Sequence, residues 1–376
     1  MGVLRAIGLM SGTSLDGVDV ALIETDGETV ASFGPSSYRP YAQSERELLR
    51  QALTDAAGLT QRQARPGVLA QAEALVTDAH ADAVESFLRK FGIARDGVAV
   101  VGFHGQTVVH RPALRLTVQL GDGQALADRL GIATVFDFRA ADLAAGGQGA
   151  PLVPAFHYAL AQRLSVEKPI AILNVGGVAN ITYINGRAEP VACDTGPGNA
   201  LIDDFMLSRT GSPCDENGAA AAEGEADEVF VARILEDPFF ARQCPKSLDR
   251  NDFKVDASGY STADGAATLT ALTAAAAARI MNHLPEAPRS WIVAGGGARN
   301  PTLLRMLAER VAPASVRTAE SVGWSVDALE AQAFAFLAVR TMRGLPLSFP
   351  ATTGVPAPTR GGVLVCPMAA SRTACA

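Results

Sequence analysis

The sequence predicts an α/β protein built from two related domains that face each other across a cleft. Three observations carry this. Strand-like apolar runs come first and then alternate with helical patterns. A strand–glycine turn–strand unit opens each half, at 7–12 and again at 172–182. The chain of 376 residues also exceeds what one compact core usually holds.

Strands are expected at 6–10, 18–25, 98–103, 116–120, 134–136, 170–175, 179–184, 190–193 and 291–294, each an apolar run bounded by turn residues. Helices are expected at 45–56, 68–91, 123–130, 155–163, 199–209, 225–235, 263–284, 301–311 and 326–343, where apolar residues recur at helical spacing. The link between 153 and 169 sets the boundary, giving domains at 1–160 and 161–344. The tail 345–376 is expected to pack back on the first domain. Segment 351–358 reads as loop by its Pro, Gly and Thr content.

Hydrophobic residues make up 48% and charged residues 19%, the balance of a globular protein with ample core. The net charge of −7 and the lack of a basic block argue against nucleic acid as a partner. The longest apolar run, 271–278, contains threonine and is Ala-rich, which suits a packed helix and not a membrane span. The N-terminal apolar run ends at Ser11 in a turn, so a signal peptide is not expected. Five scattered cysteines with no C-x-x-C pair argue against a disulfide framework or zinc site, and point to a reducing cytoplasm. Oligomeric state stays open, a homodimer included.

The chemistry gathers at glycine-rich junctions. The first turn holds Gly12, Thr13, Ser14, Leu15, Asp16, Gly17, Val18 and Asp19. Its glycines let backbone N–H groups approach phosphate oxygens, and Thr13 and Ser14 add hydroxyls. Asp16 and Asp19 add carboxylates of the kind Mg²⁺ takes, directly or through water. An ordinary β-turn is the alternative. In the second half, Gly176 and Gly177 repeat the shape, with a plain glycine bend between buried strands as the alternative.

Asp194 is expected at the carboxyl end of a strand, where α/β sheets place ligands, and is the candidate catalytic base. It stands too early to be a simple helix cap. Gly196, Gly198 and Asn199 then turn the chain into a helix whose N-terminus can face an anion. Gly295, Gly296 and Gly297 form a third junction, flat enough for adenine or ribose, with Asn300 capping the next helix. Gln106, Thr107 and Arg139 lie in polar segments that end strands, a setting for recognising a hydroxylated ligand. Loop 146–151 is glycine-rich and expected to be a flexible gate. Glu330 is an acid amid Ala, Leu and Phe whose face periodicity does not decide.

Taken together, segments 10–19, 102–107, 137–139, 146–154, 174–180, 194–199, 245–247 and 294–301 resemble the anhydro-N-acetylmuramic acid kinase family, in order over essentially the whole chain. The resemblance implies the two-domain, ribonuclease H-like fold of the actin and hexokinase superfamily, with ATP in the interdomain cleft. It implies hydrolytic opening of 1,6-anhydro-N-acetylmuramic acid with phosphorylation of O6, a step of peptidoglycan recycling. Gly12 to Asp19 match the family's ATP segment, and Asp194 its catalytic aspartate. Gln106, Thr107, Arg139 and Glu330 match positions around the sugar. Cys244 and Ala294 depart from a proline and a cysteine common there. A kinase of the same fold acting on a free sugar hydroxyl is the alternative.

Overall fold

A computed structural model describes residues 2–12, 14–186, 189–248 and 253–368; Thr13 lies outside the described residues. The chain forms two compact units. The first joins Met1–Gln162 to Asp327–Ala376, and the second is Arg163–Val326.

The first unit begins with β1 (Leu4–Ser11), β2 (Gly17–Thr25) and β3 (Val30–Pro40), an antiparallel meander. β4 (Val100–Arg111), β5 (Leu116–Leu120) and β6 (Thr134–Phe136) follow. The second unit holds β7 (Ile170–Val175), β8 (Val178–Ile184), β9 (Val191–Pro197), β10 (Ser290–Ala294) and β11 (Ser315–Thr318). β12 (Val363–Val365) returns to the first unit and pairs with β6.

The two sheets share one design. Their orders are β3-β2-β1-β4-β6 and β9-β8-β7-β10-β11, with β5 branching from β4 and β12 added at the edge. In each, three antiparallel strands are followed by two that run parallel to the first. This doubled arrangement is the actin-like, ribonuclease H-like fold that the resemblance implies.

Local chemistry sets the helix limits. Asp122 caps Gly123–Leu130 by accepting from Gln124 and Ala125 N–H, and Gly131 ends it with φ 68°. Ser261 caps Thr262–Arg279, whose alanines allow close packing in the second unit's core. The helix Leu329–Met342 belongs to the first unit, so the second ends at Val326 and not at 344. Two glycines explain its seat. A Cβ on Gly8 of β1 would stand 1.7 Å from the Ala331 carbonyl oxygen, and one on Gly102 of β4 2.1 Å from that of Phe334. Only backbone without side chains lets the helix lie this close.

Three expectations are corrected. β4 runs on through the polar segment that was expected to end it. β9 runs to Pro197, so Asp194 sits inside a strand and not at its end. Cys193 and Cys244 are joined as a disulfide, their Cα atoms 5.4 Å apart. Among the described residues no helix is long and apolar enough to cross a membrane.

Gly8→Ala is expected to cost about 3 kcal/mol of stability, because a backbone carbonyl cannot step aside as a side chain can. Urea unfolding of the variant measures it; an unchanged midpoint would show that the helix is not seated on this glycine.

Candidate active site

In the second unit the structure brings three of the expected junctions together. The N–H groups of Gly198 and Ala200 donate to the Gly177 carbonyl, and that of Asn199 to Gly176. The Asn199 side chain donates to the Val175 carbonyl at 3.2 Å. A Cβ on Gly198 would meet the Gly176 carbonyl oxygen at 2.2 Å, and one on Gly295 the Asn174 side chain at 2.5 Å. The glycine hairpin, the start of helix Ala200–Thr210 and the Gly295 loop therefore form one clamp. Three N–H groups expected to face an anion are spent inside it. Asn300 caps Pro301–Val311, accepting from Leu303 N–H at 2.9 Å.

Asp194 stands beside this clamp in the chain, at a β-bulge. β8 pairs Ala179 with Gly196 and Asn180 with Asp194, so Thr195 is the extra residue. Bulges re-aim side chains. The Asp194 N–H donates to the Lys246 carbonyl at 2.9 Å, and Leu248 N–H donates to Asp194 Oδ2 at 2.7 Å. Burial pushes the carboxyl up to about 6, opposed by the Leu248 hydrogen bond and the Lys246 charge. Lys246 is itself buried and pushed down to about 8, chiefly by that burial. Its Nζ donates to the Phe239 carbonyl at 3.1 Å and lies 4.5 Å from the Phe239 ring centre. Apart from its place in a family motif, nothing in its spacing marks Lys246 as a partner of Asp194.

In the first unit the turn after β1 closes with Leu15 N–H donating to Gly12 carbonyl, and Leu15 takes φ 54°. Ser14 donates to Asp16 at 2.7 Å. Gln106 anchors the turn: it accepts from Ser11 Oγ at 2.6 Å and donates to the Gly12 carbonyl at 3.1 Å. A register slip at Gly105, with φ 72°, places Gln106 opposite Ser11. Gln106 is thus buried and engaged, while Thr107 is half-buried and accepts from Gln119. Asp19, opposite Met10 in β2, is pushed up to about 7 by burial and by the charges of Asp16, Glu330 and Asp327.

Arg139 donates to His104 Nε2 at 2.9 Å and to the Gly149 carbonyl at 2.9 Å. His104 Nδ1 faces the Gly105 carbonyl at 2.8 Å. Burial and the Arg139 charge hold the imidazole neutral, its pKa well below the usual value. Nδ1 therefore carries the proton and Nε2 accepts, so His104 aims the guanidinium. Burial lowers Arg139 to about 10, against the opposing charges of Glu330 and Asp142, and it stays a cation at neutral pH. Glu330 is exposed in the first turn of Leu329–Met342.

The comparisons match this arrangement of motifs. A family model for anhydro-N-acetylmuramic acid kinase matches residues 4–366. An anhydro-N-acetylmuramic acid kinase of Nitrobacter winogradskyi is 62% identical, covering 97% of this chain and 100% of the relative. Those of Rhodopseudomonas palustris and Bradyrhizobium diazoefficiens are 60% and 62% identical, with the same coverage. The chain belongs to the anhydro-N-acetylmuramic acid kinase family. It is a phosphotransferase.

For this kinase, loop 146–151 is more tied down than its composition predicts. Buried Asp142 accepts from Gly149 N–H at 2.5 Å and from Thr353 Oγ1 at 2.6 Å, and Gln148 N–H donates to the Thr353 carbonyl. Since Gly149 also receives Arg139, Asp142 fixes the far side of that guanidinium. Asp142→Ala is expected to cost about 2–4 kcal/mol through two unpaired buried donors. Limited proteolysis should then cut within 146–151; a loop that stays protected would mean Asp142 does not hold it.

Proposed function

We propose that Asp194 is the general base of the family's reaction and that the glycine turns carry the nucleotide. The supporting observation is a carboxylate fixed by Leu248 N–H, half-buried, and tuned to about 6, near the pH at which it must accept a proton. Asp194 accepts a proton from water, and that water attacks C1 of 1,6-anhydro-N-acetylmuramic acid. The C1–O6 bond breaks, and O6 takes the γ-phosphoryl group of ATP in line. The products are N-acetylmuramic acid 6-phosphate and ADP. Phosphoryl transfer removes the charge growing on O6, so no separate general acid is needed.

The second-unit clamp supports a nucleotide role for Gly176, Gly177, Gly196, Gly198, Asn199, Gly295, Gly296, Gly297 and Asn300, because it fixes three glycine loops as one surface. Gly12 and its neighbours to Asp19 take the phosphates. Arg139, aimed by His104, and Glu330 read the sugar with Thr107 and Gln106, which also braces the phosphate turn through Gly12. Among the described residues no three acidic, His or Cys side chains converge on a metal position. The carboxylates crowding Asp19 nevertheless favour a cation, which fits Mg²⁺ held through water by Asp16 and Asp19. Bound there, Mg²⁺ offsets phosphate charge. The cytoplasm is the compartment in which this peptidoglycan-recycling step takes place.

Asp194→Asn should lower kcat by about 10²–10⁴ while ATP still binds. Run in H₂¹⁸O, the wild type should place label at C1; unlabelled product would point to transfer onto a free hydroxyl instead. The pH response has a set sign. The raised acid is protonated, and useless as a base, below its pKa of about 6. With Mg²⁺ saturating, log kcat/KM should fall with unit slope as pH drops through that value. A limb near pH ~4, the ordinary carboxylate range, would remove Asp194 as the base.

A further inference from the structure

Cys193 directly precedes Asp194, and Cys244 lies two residues before Lys246, whose carbonyl receives the Asp194 N–H. The disulfide therefore runs alongside the hydrogen bonds that hold Asp194, binding the same two chain segments. We propose that Cys193 and Cys244 form a reversible oxidation site that sets the activity of the kinase by fixing the Lys246–Leu248 segment against β9. The effect on rate rests on the reading of Asp194 as the base; the oxidation site does not.

The cysteines differ in access. Cys193 is 1% exposed, within the second unit's core, and Cys244 is half-buried. Cys244 is the thiol that an oxidant reaches, and Cys193 resolves. With a low-molecular-weight disulfide such as oxidised glutathione, the Cys244 thiolate attacks one sulfur and expels one thiolate, forming a mixed disulfide. The Cys193 thiolate then attacks Cys244 Sγ and expels the second. Two protein thiols lose two protons and two electrons, and the oxidant becomes two thiols. A dithiol reductant runs the exchange backwards. Cys214 is exposed and unpaired, but what burial it has and the charges of Asp203, Glu216 and Asp215 raise its thiol pKa, disfavouring the reactive thiolate.

In the oxidised state a covalent tie and two hydrogen bonds hold the segment. In the dithiol state the two hydrogen bonds remain, so Asp194 is aimed less tightly. The expected loss in kcat on reduction is about three- to thirtyfold, short of the roughly 10²-fold that an ångström of misplacement costs. KM for ATP should not move, because the glycine clamp makes no use of either sulfur.

The full-length protein is incubated with oxidised glutathione or with dithiothreitol, alkylated, digested and weighed, and the same samples are assayed. Support is a Cys193–Cys244 linked peptide after oxidation, a reversible rise in kcat with KM for ATP constant, and Cys244→Ser and Cys244→Ala fixed at the reduced rate under both treatments. Both thiols alkylated after oxidation would overturn the site. A linked peptide with equal rates in both states would overturn the control of activity. If Asp194→Asn keeps full turnover, the base assignment fails, while the linked peptide, read by mass without turnover, still decides the site.

Discussion

The catalytic reading depends on a carboxylate held by a segment 54 residues away in sequence. Asp194 is unusual for a strand residue, because its own N–H and its carboxylate are both engaged outside the sheet by the Lys246–Leu248 segment. β9 is an edge strand whose alternate N–H groups face away from β8, and that of Asp194 is one of them. The bulge at Thr195 is tolerable there, and the same edge position tolerates Pro197 within the strand. Geometry and electrostatics then work together. Burial raises the carboxyl, and the Leu248 N–H keeps the rise moderate, leaving a base that is ionised at neutral pH but not weakly basic.

Much of this was legible in the sequence where periodicity or capping chemistry is local. β5, β6, β7 and the helices Gly123–Leu130 and Pro301–Val311 lie where their patterns predict. β3 was not legible, since Gly34, Pro35 and three serines give an edge strand the composition of a loop. β11 and β12 are four and three residues long and gain strand character only from the neighbour they join. The glycine junctions were legible because turn residues announce themselves. Their partners were not. The bonds of Gln106 to Ser11 and Gly12 follow from a slip at Gly105 that no local pattern announces. His104 and Arg139 are 35 residues apart, and Cys193 and Cys244 are 51 apart. Such pairings follow from strand order, which spacing along the chain does not reveal.

The two units place a glycine hairpin at the same topological point, between the first and second strands of the same sheet design, yet they secure it differently. In the first unit a side chain from β4, Gln106, reaches the turn. In the second, backbone N–H groups of the helix start do the same work. The hairpins also differ in charge. Residues 174–180 contain no carboxylate, whereas 12–19 contain Asp16 and Asp19, with Glu330 and Asp327 close enough to raise Asp19 further. Carboxylates gathered at the first hairpin repel an anion, whereas the second hairpin carries none.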